Sequence, residues 1–264
     1  MASPQYRLVY WPGIPGRGEH IRLVFEETST PYTDTATTSD GLDRVLAYVQ
    51  GNVPDDNLNP PPLAPPILQH LADPNNDTNV TTISQTSNIL LYLATHLPPG
   101  SIAPDPKTDP NALFYLNSLA LTALDGLSNE PHDCHHPIAS GLYYEDQKPE
   151  SLRKADNYVR VRLPKFLGYF ERVLGSGASG GGKWLYGGKF SFADLVLFQC
   201  LDGVKFMFPK AVSKYEREGA YAKVFALYQA VSERPKIAEY LKSSRRQKYS
   251  DGIYRYYEEL DIEP

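Results

Sequence analysis

Residues 98–110, PPGSIAPDPKTDP, set the main constraint on how this chain can fold. Proline fixes φ and donates no backbone hydrogen bond, so this stretch admits neither a helix interior nor a central strand. It reads as a linker, and the character of the sequence changes across it. Before it, strand-like and helix-like periods alternate as βαβ and then ββα. After it, every periodic segment is helical. The expectation is an α/β first domain over 1–97, a linker over 98–110 and an all-α domain over 111–264. A chain of 264 residues can bury cores of that size.

In the first half, Tyr6 to Tyr10 reads as a strand and the turn Pro12 to Gly18 follows it. A helix is then marked by Ile21, Val24, Phe25 and Thr28 on one face. Pro31-Tyr32 opens a short second strand. Leu42, Val45, Leu46 and Val49 predict a helix over 41–49. The proline-saturated stretch Gly51 to Pro66 excludes regular structure. Pro66 to Leu71 and Val80 to Ile83 read as a hairpin, with Asp73 to Asn79 as a surface insertion. After Ser84-Gln85-Thr86-Ser87 a helix running to about His96 closes the half.

In the second half, Ala112 to about Glu130 predicts one long helix, and Ser151 to Leu174 another, bent at Pro164. GSGASGGG at 175–182 reads as a flexible loop or a low-complexity insertion. Ser191 and Asp194 have the spacing of an N-capping box, with Phe190 and Leu195 at the staple positions. Helices are expected over 192–207 and 221–232, and a last one starts near Pro235. The Tyr-rich tail, Tyr249 to Tyr257, has no placement from pattern alone.

The net charge of -5 argues against nucleic acid, since acidic residues outnumber basic ones. The compact basic run from Ser243 to Lys248 reads as a solvated helix end. No apolar run approaches membrane-spanning length and no signal-like start is present, so a cytoplasmic protein is expected, with no membrane partner. The two cysteines, Cys134 and Cys200, lie far apart, which suits packed thiols in a reducing compartment. His132 and His136 stand at i, i+4, but no third and fourth ligand has zinc-like spacing, so no metal is expected.

The stretch YRLVYWPGIPGRGEHIRLVFEE at 6–27 is the centre of the chemistry. A strand that delivers Tyr10 beside a helix N-terminus can hold an anionic group next to a phenol, which suits a thiolate. A tyrosine that merely covers a sheet edge is the competing reading of the same residues.

Four features together resemble the cytosolic glutathione transferases, over nearly the whole chain. Tyr10-Trp11 followed by Ile21-Arg22-Leu23 is similar to the Tyr-type classes (mu, pi, sigma). Ala64-Pro65-Pro66-Ile67-Leu68 resembles the cis-proline loop and the strand after it. Ser84-Gln85-Thr86-Ser87-Asn88-Ile89 resembles the segment that holds the γ-glutamyl end of glutathione. Ser191 to Asp194 resembles the family's N-capping box.

The resemblance implies a thioredoxin-like first domain that binds glutathione and a helical second domain that binds the electrophile. It implies Tyr10 as the catalytic donor to the glutathione sulfur; the following loop, Pro12 to Gly18, offers no serine or cysteine in its place. Gln85 and Thr86 correspond to the γ-glutamyl contacts, with Thr86 where serine is usual. Trp11 corresponds to a residue that helps hold the glycyl carboxylate, and its usual basic companion has no clear match. Either Pro65 or Pro66 corresponds to the cis residue; if Pro66, the residue before it offers a carbonyl without an N–H. Asp125 resembles the acidic residue that some classes project into the neighbouring subunit's site, a solvated helix face being its other reading. Tyr115, Leu119, Tyr143 and Phe206 are candidate pocket residues or ordinary core.

The activity implied is conjugation of the glutathione thiolate to small hydrophobic electrophiles in detoxification, with a possible peroxidase side activity. Glutathione is the co-substrate and the assembly a homodimer. The alternatives are a non-catalytic ligand-binding or scaffold protein of the same fold, or a glutathione-dependent isomerase.

Overall fold

The computed structural model describes residues 5–53, 59–73 and 76–264, with backbone alone at 76–78. Parts of the expected loops at 51–66 and 73–79 lie outside the described residues. The chain forms two compact units. The first comprises the residues to Ile102 together with Pro235–Lys248; the second comprises Ala103–Arg234 together with Tyr249–Pro264. The helical domain expected over 111–264 thus lends residues 235–248 to the first unit.

The first unit is built on a four-stranded mixed sheet in the order β2-β1-β3-β4. Its strands are β1 (Tyr6–Val9), β2 (Tyr32–Asp34), β3 (Ile67–Asp73) and β4 (Asn76–Ser84). β1 and β2 run parallel through the crossover helix α1 (Glu19–Thr28), whereas β3 and β4 are antiparallel to their neighbours. The hairpin is longer than the expected pairing of 66–71 with 80–83, because ladder pairing reaches Asp73↔Asn76.

Alternation along β1 decides which helix covers which face. Tyr6 packs tilted against Phe25 of α1, with ring centroids 5.4 Å apart. Val9, on the other face, packs with Ile67 and with Val45 of α2 (Gly41–Val49). His70 hydrogen-bonds Tyr92 of α3 (Thr86–His96) at 2.7 Å, which puts α3 on the Tyr6 face with α1. The helix of residues 235–242, α11, packs on α1.

The second unit holds α4 (Ala112–Leu124), α5 (Glu130–His135), α6 (Lys148–Asn157), α7 (Leu163–Leu174), α8 (Phe192–Met207), α9 (Pro209–Arg217) and α10 (Ala222–Ser232). α8 is its axis, buried at nearly every position from Phe192 to Val204. Asp194 accepts from the Ser191 backbone N–H at 2.8 Å, the reach-back expected of the capping box, and also from the Leu185 N–H at 2.8 Å.

The two long helices are each interrupted by a five-residue π-turn, Asp125–Asn129 between α4 and α5 and Tyr158–Arg162 between α6 and α7. Proline explains the position of the second. Pro164 has no N–H for the Arg160 carbonyl, so the wider turn sits just before it instead of a bend at it. The turns face each other: Tyr158 donates to the Gly126 carbonyl at 3.1 Å, and Arg162 forks onto Glu130.

Residues 175–182 form a largely exposed loop that is anchored at Ser179. Ser179 is fully buried, and a β-carbon on Gly180 would lie 2.5 Å from the Gly188 nitrogen. α9 was invisible to the periodicity reading. The tail finds a place as well: Asp261 accepts from the Lys210 N–H at the start of α9, and Tyr257 stacks on Tyr144 at 3.9 Å.

Candidate functional site

Sheet register assembles the site. β1 and β3 pair Val9 with Ile67, and β3 and β4 pair Ile67 with Ser84. Carried one residue further, those registers align Tyr10, Pro66 and Gln85 across one end of the sheet. Residues separated by 56 and 19 positions in sequence thereby share an edge.

Tyr10 lies just past β1 and is 5 % exposed. Its hydroxyl oxygen accepts the Arg17 backbone N–H at 2.7 Å, which leaves the phenol's own proton available to another acceptor. Two glycines make room for the ring. A β-carbon on Gly16 would come within 2.2 Å of the Tyr10 hydroxyl, and one on Gly18 within 2.6 Å of its Cγ. Gly16 also sits at φ +45°, a conformation that other residues reach at a cost.

Burial raises the Tyr10 pKa. The Arg17 amide, the Arg22 and Arg17 charges and the Gly18 amide oppose that rise. The phenol is therefore a neutral O–H donor at neutral pH. The Arg22 guanidinium lies 5.6 Å from the ring centroid.

Trp11, half-buried, packs with Tyr48 against Val9, Val45 and Ile67. The Pro65–Pro66 peptide bond is cis, so Pro66 is the cis residue and Pro65 the one before it. Pro65 can offer only its carbonyl. Gln85 adopts φ 71° at the entry to α3, an uncommon conformation for a residue with a side chain. Thr86 opens the helix, 2 % exposed, and its hydroxyl has no hydrogen-bond partner among the described residues. A hydroxyl beside the free N–H groups of a helix start has the chemistry to take a carboxylate.

Beside Tyr10 lies an ionic cluster centred on the fully buried Arg22 and Glu19. Arg22 donates to Asp34 at 2.6 Å, to Glu19 at 3.2 Å and to the Pro15 carbonyl at 3.0 Å. Tyr240 of α11 donates to Glu19 at 2.6 Å, and Arg246 pairs with the same carboxylate oxygen. The Ser243–Lys248 run, expected as a solvated helix end, is thus solvated only in part: Arg246 is drawn in to Glu19, and the exposed Arg245 forks onto Glu26 at 3.0 and 2.9 Å. Sequence reasoning did not find Glu19, Tyr240 and Arg246. Only the i, i+3 spacing of Glu19 and Arg22 hinted at any of it. His20, between the charges of Arg17 and Arg246, is pushed down to about 3 mainly by burial.

Asp125 is exposed at the start of its π-turn and accepts from the Asn129 amide at 3.3 Å. It belongs to the second unit. Tyr115 and Tyr143 are exposed, Leu119 is buried, and Phe206 stacks on Tyr249 at 4.7 Å. The rings of His132, His135 and His136 cluster with centroids 4.7–5.1 Å apart. His135 spends its Nε2–H on the Ile253 carbonyl. No group of metal-ligating side chains is assembled among the described residues.

Comparison with known proteins agrees with this architecture. The family described as Glutathione S-transferase, C-terminal domain, matches residues 132–244. Glutathione S-transferase P 1 of Xenopus laevis is 39% identical over 93 residues, a match spanning 35% of this chain and 40% of that protein. Glutathione S-transferase P 1 of Bufo bufo is 24% identical over 250 residues, spanning 93% of this chain and 95% of the relative. Among solved structures, Ure2p5 from Phanerochaete chrysosporium, cocrystallized with 1-(S-glutathionyl)-2,4-dinitrobenzene, superposes with a TM-score of 0.65. That match has 17% identity and covers 92% of this chain and 95% of the other.

Proposed function

The chain belongs to the glutathione transferase family, and from that premise we propose that it joins the glutathione thiolate to small apolar electrophiles, with Tyr10 as the donor to sulfur. The observation that carries this reading is the Tyr10 hydroxyl, polarised by the Arg17 amide while keeping its own proton. Only the thiolate of glutathione is a strong nucleophile, and an O–H donor beside sulfur favours that form. Lowering a thiol pKa by ~2 units takes only ~2.7 kcal/mol, within reach of one charge-assisted hydrogen bond in a partly dry site. The thiolate then attacks the electrophilic carbon, and the leaving group departs with the bonding pair. Proximity supplies much of the remaining rate.

In this reading the first unit binds glutathione and the second the electrophile. The Thr86 hydroxyl and the α3 N-terminus take the γ-glutamyl carboxylate, with Gln85 shaping the entry. The Pro65 carbonyl accepts the cysteinyl N–H, with the cis Pro66 holding it at the strand end. Trp11 lies at the glycyl end, and Asp125 serves the γ-glutamyl ammonium of a neighbouring subunit in a homodimer. Exposed apolar side chains such as Leu63 and Phe114 suit burial in such an assembly. Detoxification in the cytoplasm is the physiological setting, and peroxide reduction by the same thiolate a side activity.

One observation favours a non-catalytic ligand carrier instead. Arg44, a basic residue between β2 and the cis-proline, is paired with Asp40 at 2.5 Å. Calorimetry of glutathione binding at several pH values, on the wild type and Tyr10→Phe, separates the two. Proton release near neutral pH in the wild type alone supports the transferase. Absence of glutathione binding in the wild type leaves the carrier reading.

A further inference from the structure

The turn that serves Tyr10 is intrinsically weak. Gly16 and Gly18 flank Arg17, and glycine imposes little conformational restraint on its neighbours. The hydrogen bond from the Arg17 N–H to the Tyr10 hydroxyl at 2.7 Å therefore needs the turn to be held from outside. Its start is held twice. The Pro15 carbonyl accepts from the Glu19 backbone N–H at 3.1 Å and from Arg22 Nη1 at 3.0 Å. Glu19 and Arg22 are themselves joined at 3.2 Å, and both are completely buried.

Glu19 is the junction where a distant piece of chain enters. One carboxylate oxygen faces Arg22; the other receives the Tyr240 hydroxyl, at 2.6 Å, and Arg246. Tyr240 and Arg246 lie more than 200 positions further on, in the segment 235–248 that leaves the second unit to pack on the first. A second tie fixes the same segment: Arg245 forks onto Glu26, which also accepts from the Tyr32 hydroxyl at 3.2 Å. A buried carboxylate with three partners has a sharply defined position, since removing any partner exposes an unmatched charge.

We propose that Tyr240 and Arg246 are positioning residues for Tyr10: by fixing Glu19 they hold the 15–19 turn, and with it the Arg17 amide on the Tyr10 hydroxyl. The proposal rests on the transferase reading above and adds a control to it. The segment 235–248 tunes thiolate formation without touching glutathione. An amide donating to the phenol oxygen makes the phenol a better donor to sulfur. Loosening that amide weakens the donor, leaves the thiol less acidic and moves the acid limb of the rate profile to higher pH.

The test uses the full chain and follows kcat/KM against pH with glutathione and an activated aryl halide, alongside the glutathione KM and the melting temperature. Tyr240→Phe keeps the ring and removes one bond to Glu19. It is expected to raise the limb by about half a unit to one unit, with the glutathione KM within about twofold. Arg246→Met should shift the limb in the same direction, and Arg246→Lys should restore it. A folded Tyr240→Phe protein with an unmoved limb, or one that only melts earlier, overturns the proposal. Tyr10→Phe is run beside it: full activity there overturns Tyr10's role as donor, whereas no activity in the wild type overturns the transferase reading itself, so the failures are distinguishable.

Discussion

The Tyr254 hydroxyl donates to the Leu127 carbonyl at 2.7 Å, in the buried interior of the second unit. Leu127 is four residues before Pro131, which has no N–H to offer that carbonyl. The tail residue thus supplies the hydrogen bond that the helix cannot. Gly203 makes the approach possible, because a β-carbon there would lie 2.3 Å from the Tyr254 ring. Tyr254→Phe should lower stability by about 2 kcal/mol, the cost of a buried acceptor left unmatched. Adding Pro131→Ala returns an N–H to Leu127 and should recover part of that loss. Urea denaturation of the two single variants and the double variant measures the coupling, and strict additivity would refute it.

The Thr86 hydroxyl gives a prediction of opposite sign for folding and binding. It is buried without a partner among the described residues, so Thr86→Val should leave stability unchanged or higher. If the hydroxyl receives the γ-glutamyl carboxylate, the same change should weaken glutathione binding about tenfold. Calorimetry and a melting curve on one preparation decide both. Unaltered affinity would remove Thr86 from the site.

Two buried imidazoles set an acid limit on the fold. Burial holds His20 and His135 down to about 3, against an ordinary 6.5. Both are neutral when folded and protonate readily when unfolded, so the unfolded chain binds more protons between those values. Their contribution is present above pH 6.5 and is lost as pH falls toward 3. Each contributes a slope of up to about 1.4 kcal/mol per pH unit in that window. Urea midpoints measured from pH 7.5 to 5 should fall with acidification, and His135→Gln should flatten the fall. A flat wild-type profile over that range would contradict the assignment.

Much of the architecture was legible in sequence because its signals are local. The strand-turn-helix at 6–27, α8 with its Ser191–Asp194 start and the helix at 86–96 rest on contacts a few residues apart. Helix ends and turns depend on similarly short range. Where the reading missed, the cause was specific. Pro164 was taken as a bend, whereas the missing N–H is absorbed by a π-turn just before it. The glycines at 175–182 read as a loop, and the structure adds that Gly180 serves a close backbone approach to Gly188.

By itself the sequence determined the two-part order of elements, the proline loop before β3 and a tyrosine at the end of β1. Each follows from hydrophobic period or from the backbone chemistry of proline and glycine, which act on their near neighbours. Only the tertiary structure decided that Tyr10, Pro66 and Gln85 align, since that depends on two strand registers at once. It alone decided that Glu19 meets Tyr240 and Arg246, and that Leu127 meets Tyr254. Such pairings join residues more than a hundred positions apart, and a buried charge or carbonyl takes whichever partner the packed chain brings to it.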